Sequence, residues 1–181
     1  NKIHFENAIS EKLTTQFAID ITGSDRTLKL LHECDPIEYT TINADGSLIT
    51  PIFHEISADV FTKIKKDSSF TLVDPQGFLR QVDSNKNVIL ENTELDLSDV
   101  NAIKVNPDES QKIVSGSHDE MMMALQKKGV EHVIFTNKTE VSLLVKDKVY
   151  SITLPNKEVY DTTGIGDIFC AAFCCTMLKE K

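Results

Sequence analysis

The spacing of hydrophobic and polar residues along the chain changes several times, and each change marks a boundary between predicted elements. Two β-rich runs, Thr14–Ile21 and Thr27–Cys34, flank a polar turn that contains Gly23, and this pattern predicts a β-hairpin. Short apolar runs at Phe70–Asp74 and Val100–Val105 predict buried strands. The chain therefore starts with a two-sided hairpin and continues with strands that are buried in a sheet.

Helical patterns alternate with these strands. Ser57 is a suitable cap for a helix over Ala58–Lys66. Asn106-Pro107-Asp108-Glu109 has a capping residue, then a proline at the first helical position and an acid three residues after the cap, and this combination predicts the start of a helix. The helical pattern then runs through Asp119–Lys128, and Gly129 is predicted to end it. Further strands are predicted at Ser47–Thr50, Val130–Thr136, Val141–Val145 and Lys148–Thr153, and a last helix at Cys170–Leu178. This alternation predicts the α/β class, with a mostly parallel sheet covered on both faces. The hairpin at 14–34 is predicted to lie outside this sheet, as a lid over a ligand site would.

Composition narrows the class of protein. The 181 residues are 40% hydrophobic and 26% charged, as in a soluble globular domain. A net charge of −9 argues against nucleic acid as a partner, and no apolar run approaches the roughly 18 residues of a membrane span. Three of the four cysteines, Cys170, Cys174 and Cys175, are close in sequence; they read as reduced thiols of a cytoplasmic protein. Cys170 and Cys174 share a helix face, where a metal pair is conceivable but small core residues are favoured.

The segment Asp161-Thr162-Thr163-Gly164-Ile165-Gly166-Asp167 comes just before the last predicted helix. Glycines allow backbone N–H groups to converge on an anion, and the first turn of a helix leaves such groups unpaired. The backbone of Gly164, Ile165 and Gly166 is therefore a candidate anion hole. Asp167 is a candidate general base that takes a proton from a hydroxyl attacking a phosphate. The alternative role for Asp167 is to favour the positive end of its helix. Thr163 either adds a hydroxyl to the site or caps the helix.

This segment resembles the Asp-Thr-Thr-Gly-Ala-Gly-Asp signature of the ribokinase (PfkB) family of carbohydrate kinases, with Ile165 in place of the alanine. The resemblance implies a three-layer α/β/α sandwich with a small β lid, ATP and Mg²⁺ as cofactors, and a sugar or polyol as the acceptor. It also implies that residues 1–181 are one ribokinase-like domain, incomplete at both ends. A homodimer formed through the lid is a further expectation.

Three other segments resemble family motifs. Asn106 and Glu109 match the family motif Asn-x-x-Glu, which implies that both residues take part in cofactor binding and that Glu109 contributes to a Mg²⁺ site. The alternative is that the two residues form a capping box with no other role. Asp74-Pro75-Gln76-Gly77-Phe78-Leu79-Arg80 is similar to Asp-Pro-Asn-x-Arg, so Arg80 either faces phosphate or pairs with a surface acid. Thr136 corresponds to the Thr of Thr-Leu-Gly beside the nucleotide, although Asn137 and Lys138 depart from that pattern. The Asp-Pro-Gln version is most similar to archaeal or thermophilic members, including myo-inositol kinases.

Two other functions remain open from the sequence. A nucleoside kinase of the same fold is one, although a chain with no Trp and three Tyr offers little surface for stacking a base. A non-catalytic phosphate-binding relative is the other; the altered loop after Thr136 favours it, and the intact Gly164, Gly166 and Asp167 oppose it.

Overall fold

The computed structural model describes residues 11–22, 25–41, 43–155 and 163–180. The strands in these ranges are β1 (Gln16–Thr22), β2 (Asp25–His32), β3 (Gly46–Ile49), β4 (Phe70–Val73), β5 (Arg80–Val82), β6 (Val88–Leu90), β7 (Ala102–Val105), β8 (His132–Thr136), β9 (Glu140–Val145) and β10 (Lys148–Thr153). The helices are α1 (Ala58–Asp67), α2 (Gln76–Leu79), α3 (Pro107–Ser110), α4 (His118–Lys127) and α5 (Ile165–Lys179).

A six-stranded sheet forms the centre of the fold, with strand order β10-β9-β8-β7-β4-β3. The four strands β3, β4, β7 and β8 run parallel, and β9 and β10 extend the sheet as antiparallel strands. Every residue of β4 and β7 is buried, which explains why both read as continuous apolar runs in the sequence. The carboxyl ends of β4, β7 and β8 therefore lie at one edge of the sheet, where α/β proteins bind ligands.

Helices cover the two faces of this sheet. On one face the core includes Phe61 of α1 and Met122 and Leu125 of α4, packed with strand residues such as Val73 and Ile103. On the other face Cys170 and Cys174 of α5 pack against Phe70, Leu72 and Ala102. The three-layer α/β/α arrangement is confirmed. Both cysteines are core residues of α5, as the interpretation of them as small packing residues expects.

The hairpin β1–β2 lies outside the central sheet, as the sequence predicts, and its turn at Gly23 falls outside the described residues. It has one neighbour outside that sheet. A second hairpin, β5–β6, which the sequence analysis missed, meets it: Lys29 forms an antiparallel bridge with Asn87, and the N–H of Leu30 donates to the carbonyl of Lys86 at 2.9 Å. The two hairpins are therefore joined to each other outside the central sheet.

The predicted helix starting at Asn106 is divided in the structure. Helix α3 ends at Ser110, and α4 begins only at His118, after a cap at Ser117. Gly116 has a φ of +132°, a left-handed conformation that interrupts a helix. The last helix begins at Ile165, five residues before the predicted start at Cys170. The other predicted elements match the observed strands and helices to within about three residues at each end, the usual scatter of such boundaries.

Candidate active site

Three elements meet at the carboxyl edge of the sheet. Asp74 directly follows β4, Lys104 lies near the end of β7, and Gly166 lies in the first turn of α5. The ammonium of Lys104 donates to Asp74 Oδ2 at 2.8 Å, and both side chains are buried. A Cβ built on Gly166 would lie 3.4 Å from Lys104 Nζ and 3.9 Å from Asp74 Oδ2. The amino end of α5 therefore lies directly against a buried ion pair.

The start of α5 contains a glycine in a left-handed conformation. Gly164 is the helix cap with a φ of +79°, a left-handed conformation that a residue with a side chain adopts only with strain. The first α5 bond runs from the N–H of Ile168 to the carbonyl of Gly164, at 3.0 Å. Asp167 is exposed in the first turn, and Thr163 is exposed just before the helix. The structure thus groups Thr163, Gly164, Ile165, Gly166 and Asp167 at one point, while Asp161 and Thr162 lie outside the described residues.

The electrostatics of the Asp74–Lys104 pair favour a permanently charged lysine. Burial alone acts to lower the pKa of Lys104, but the Asp74 and Glu109 carboxylates oppose it and hold the pKa above its ordinary value. Burial, followed by the charge of Asp74, raises the pKa of the neighbouring Cys170 thiol to about 12. The site therefore contains a fixed ammonium and a neutral thiol next to the first turn of α5.

Asn106 and Glu109 form the capping box predicted from the sequence. The N–H of Glu109 donates to Asn106 Oδ1, and Glu109 Oε2 accepts from the N–H of Asn106, both at 2.9 Å. The Glu109 side chain is buried beside Asp74 and Lys104, and burial, followed by the charge of Asp74, raises its pKa. Among the described residues no group of three or more His, Cys, Asp or Glu side chains is arranged to hold a metal ion. A role in Mg²⁺ binding stays a prediction for Glu109.

Arg80 begins β5 and lies against the β1–β2 hairpin. It donates to the carbonyl of Ile52 and to Gln76 Oε1, both at 2.9 Å, and its guanidinium carbon lies 5.6 Å from the ring centre of Phe17 in β1. Within the described ranges Arg80 has no carboxylate partner at ion-pair distance, so the alternative in which it pairs with a surface acid finds no support there.

Thr136 ends β8, the strand next to β7, and is half-buried at the same edge of the sheet. The turn that follows is closed by Asn137, whose side-chain oxygen accepts from the N–H groups of Thr139 and Glu140, both at 2.8 Å. Any nucleotide contact by Thr136 remains a prediction.

Sequence reasoning missed Asp74 and Lys104 as members of the site. The available signal was the lysine itself: a charged residue inside an otherwise apolar, buried strand needs a partner or a ligand. Asp74 was read only as part of a motif.

Comparisons with known proteins agree with this geometry. The sequence pattern of the pfkB family carbohydrate kinases matches residues 87–181, about half of the chain. A comparison with curated protein sequences gives no match. Among the described residues, no helix is long and apolar enough to pass through a lipid bilayer.

Several solved structures are similar in fold. A pyrophosphate-dependent kinase in the ribokinase family, in a sulfate complex, has a TM-score of 0.82 at 22% identity, with 93% of this chain and 63% of that chain covered. The same kind of kinase, with a pyrophosphate analogue and myo-inositol, has a TM-score of 0.73 at 21% identity, covering 82% and 56%. Ribokinase from Arabidopsis thaliana, with ribose and ATP, has a TM-score of 0.62 at 18% identity, covering 93% and 57%.

The chain therefore spans less than two thirds of the length of these similar structures. With its ribokinase-like fold and the matched residues 87–181, it belongs to the pfkB family of carbohydrate kinases.

Proposed function

We propose that this chain carries the catalytic part of a phosphotransferase that moves a phosphoryl group onto a hydroxyl of a sugar or polyol. The observation that supports it most strongly is the position of the α5 amino end, with Gly166 held against the buried Asp74–Lys104 pair. Unpaired N–H groups, a helix dipole and a fixed ammonium then act on one small volume, which is suited to a phosphoryl group in transfer.

Asp167 has the general-base role in this proposal. The acceptor oxygen forms a bond to the transferred phosphorus, the bond from phosphorus to the leaving oxygen of the donor breaks, and the acceptor proton passes to the Asp167 carboxylate. The Gly164–Gly166 backbone stabilises the charge on the transferred group. The exposed position of Asp167 in the first turn of α5 leaves it accessible to an acceptor.

The donor in this proposal is ATP with Mg²⁺. Mg²⁺ keeps most of its waters and takes one or two carboxylates, so the buried Glu109 carboxylate beside Asp74 fits an ion held largely through water and phosphate oxygens. The ion would neutralise charge on the donor phosphates. Asn106 fixes Glu109 through the capping box, and Thr136 and Thr163 are the proposed nucleotide-side hydroxyls. Pyrophosphate is a second candidate donor, because two of the similar structures are of pyrophosphate-dependent kinases.

The test is a transfer assay with the protein that contains this chain. ATP and pyrophosphate, each with Mg²⁺, are offered with a panel of sugars, polyols and nucleosides, and the phosphate ester is followed by ³¹P NMR. We expect ester formation from a sugar or polyol that is lost in Asp167→Asn. Faster transfer to nucleosides would identify a nucleoside kinase instead. Donor binding without transfer to any acceptor would identify a non-catalytic relative.

Two further parts of the proposal concern the whole protein. Its four cysteines are free thiols, in line with a cytoplasmic protein. A homodimer through the lid is proposed because Ile19 and Ile21 of β1 and Leu31 of β2 are exposed apolar residues of the hairpin. Sedimentation of the wild type against Ile21→Lys tests it: an unchanged mass would contradict the dimer.

A further inference from the structure

Two segments of the chain leave the carboxyl edge of the sheet side by side. Residues 50–56 follow β3, and the segment of α2 and β5 follows β4, the strand next to β3. Their backbones are in close contact, because a Cβ built on Gly77 would lie 2.4 Å from the carbonyl carbon of Pro51. The N–H of His54, a residue with a left-handed φ of +55°, donates to the carbonyl of Gly77 at 3.1 Å. The two segments therefore form one closely packed platform at this edge.

The β1–β2 hairpin is attached to this platform through an aromatic side chain. Phe17 of β1 packs edge-on against the buried Phe53, with 6.2 Å between the ring centres. The Phe17 ring centre also lies 5.6 Å from the guanidinium carbon of Arg80, a distance at which a cation and an aromatic ring attract each other. Phe17 therefore joins the hairpin to both segments of the platform.

The guanidinium of Arg80 links the same parts by hydrogen bonds. Nη1 donates to the carbonyl of Ile52 in the segment after β3, and Nη2 donates to Gln76 Oε1 in α2, both at 2.9 Å. A planar guanidinium directs donors to acceptors on two separate segments at once, which the ammonium of a lysine does less well. Both acceptors are neutral, and within the described ranges Arg80 has no carboxylate at ion-pair distance. The arrangement is that of a crosslink.

Helix α2 continues this link to the proposed site. Gln76, which accepts from Arg80, also donates its N–H to Asp74 Oδ1 at 3.4 Å. The other carboxylate oxygen of Asp74 accepts from Lys104 at 2.8 Å. Hydrogen bonds thus connect Arg80 with the buried ion pair that lies against the amino end of α5. The position of the β1–β2 hairpin relative to that ion pair depends on these contacts.

We propose that Arg80 is a positioning residue of the transfer reaction, and that its contacts with Phe17, Ile52 and Gln76, here called the Arg80 clamp, hold the β1–β2 hairpin in place beside the site. This inference rests on the proposed function and gives Arg80 a role in which it contacts neither acceptor nor donor. A hairpin held in place keeps the acceptor hydroxyl near Asp167 and excludes water. Loss of the clamp should therefore weaken the use of the acceptor and let more of the donor phosphoryl group pass to water.

Hydrogen exchange tests the clamp without any ligand. Arg80→Met keeps an unbranched side chain and removes the donors. We expect amide exchange in β1 and β2 to become about 10- to 100-fold faster, the range for lost hydrogen bonds of a charged donor, and exchange in β4 and β7 to stay within about twofold. Arg80→Lys should be intermediate, because it restores the charge without the planar donors. Phe17→Leu, which removes the ring and leaves the hydrogen bonds of Arg80, should accelerate the same amides by a smaller factor.

Lys29→Met is the matched control, because Lys29 is an exposed basic residue of the same hairpin and lies outside the clamp. It should leave exchange in β1 and β2 within about twofold of the wild type. Unchanged exchange of the hairpin in Arg80→Met overturns the proposal. Equal acceleration in the hairpin and in the central sheet also overturns it, since Arg80 would then contribute to overall stability alone.

Steady-state kinetics test the role of the clamp in the reaction. With an acceptor that the transfer assay identifies, Arg80→Met should raise the acceptor KM at least about fivefold, keep the donor KM within about twofold, and increase the ratio of donor hydrolysis to transfer. A raised donor KM with normal hairpin exchange overturns the proposal and assigns Arg80 to donor phosphate. An unchanged acceptor KM in a variant whose hairpin exchanges faster overturns it as well. If the wild type phosphorylates no acceptor, the proposed function has failed, and hydrogen exchange alone decides the clamp: selective acceleration in β1 and β2 supports it, and the lack of it overturns it.

Discussion

Substitution of the two α5 glycines by alanine should change stability in opposite directions. Gly166 is helical, and a Cβ there would lie 3.4 Å from Lys104 Nζ, an ordinary van der Waals contact. Alanine stabilises helix interiors by about 1 kcal/mol over glycine, and we expect about half of that in a first turn. Gly164 has nothing within 4 Å of a built Cβ but a φ of +79°. Gly164→Ala should therefore cost about 1–2 kcal/mol through the backbone alone.

These free energies convert to measurable melting temperatures. In a domain of this size 1 kcal/mol corresponds to about 2–4 °C, so Gly166→Ala should raise Tm by about 1–2 °C and Gly164→Ala should lower it by about 2–8 °C. Differential scanning fluorimetry measures the shifts, and urea unfolding measures the free energies.

Gly166→Ala should lower the activity although it raises the stability. The added methyl group occupies the space between the first turn of α5 and the Lys104 ammonium, where the proposed function places phosphoryl oxygens. The loss of one anion-hole contact costs about 10²–10³-fold in rate, so we expect kcat to fall by at least about tenfold although the protein is more stable. A Gly166→Ala protein with higher Tm and unchanged kcat would refute the assignment of this space to the transferred group.

Three further predictions concern side chains of the site. Asp167→Asn should lower kcat by about 10²–10⁴-fold with donor affinity retained, as measured by steady-state kinetics and calorimetry; a wild-type kcat would contradict the base. Lys104→Met should lower the free energy of unfolding by about 3 kcal/mol, measured with urea, because it leaves the Asp74 carboxylate buried and unpaired. Adding Asp74→Asn to this variant should recover more than half of that loss. An equal loss in the single and the double variant would contradict the coupling of the two side chains. The pKa of Glu109 is raised in the folded state, so ionisation of this carboxyl above its ordinary pKa of 4.5 costs the wild type folding stability. Glu109→Gln has no such cost, and its free energy of unfolding relative to that of the wild type should therefore increase as the pH rises above 4.5. A difference between the two proteins that is independent of pH would contradict this prediction.

Local patterns were sufficient to predict the central sheet. The continuous apolar runs of β4 and β7 and the capping box at Asn106 are short-range signals, and the structure contains each of them. The β5–β6 hairpin was missed because its strands have three residues each, too few to show a period of two. Its position depends on the bridge to Lys29, which is 58 residues away from Asn87 in the sequence and leaves no local signature.

The site was only partly predictable for a similar reason. Gly164, Gly166 and Asp167 are adjacent in sequence, so the chemistry that they share can be read from one segment. Lys104 and Asp74 join that segment only through the parallel pairing of β4 with β7 and the packing of α5 on the sheet. Arg80 meets Phe17 only through the packing of the β1–β2 hairpin against it. In each case the missing information was a contact between distant parts of the chain, not the chemical character of the residue.

The buried charges at the carboxyl edge are hard to explain by stability alone. Replacing a buried ion pair with apolar residues of similar volume often leaves the free energy of folding unchanged or makes it more favourable. The contribution of the Asp74–Lys104 pair to stability is therefore a weak explanation for its presence. The remainder of β7 is apolar and fully buried, and a further aliphatic residue at position 104 would continue that pattern. Glu109 adds a second carboxylate whose pKa is raised by burial and by Asp74. Sequences depart from local rules of this kind mainly at functional sites. The departure lies directly against the glycine-rich start of α5, so this edge of the sheet is where we expect a ligand to supply the missing stabilisation.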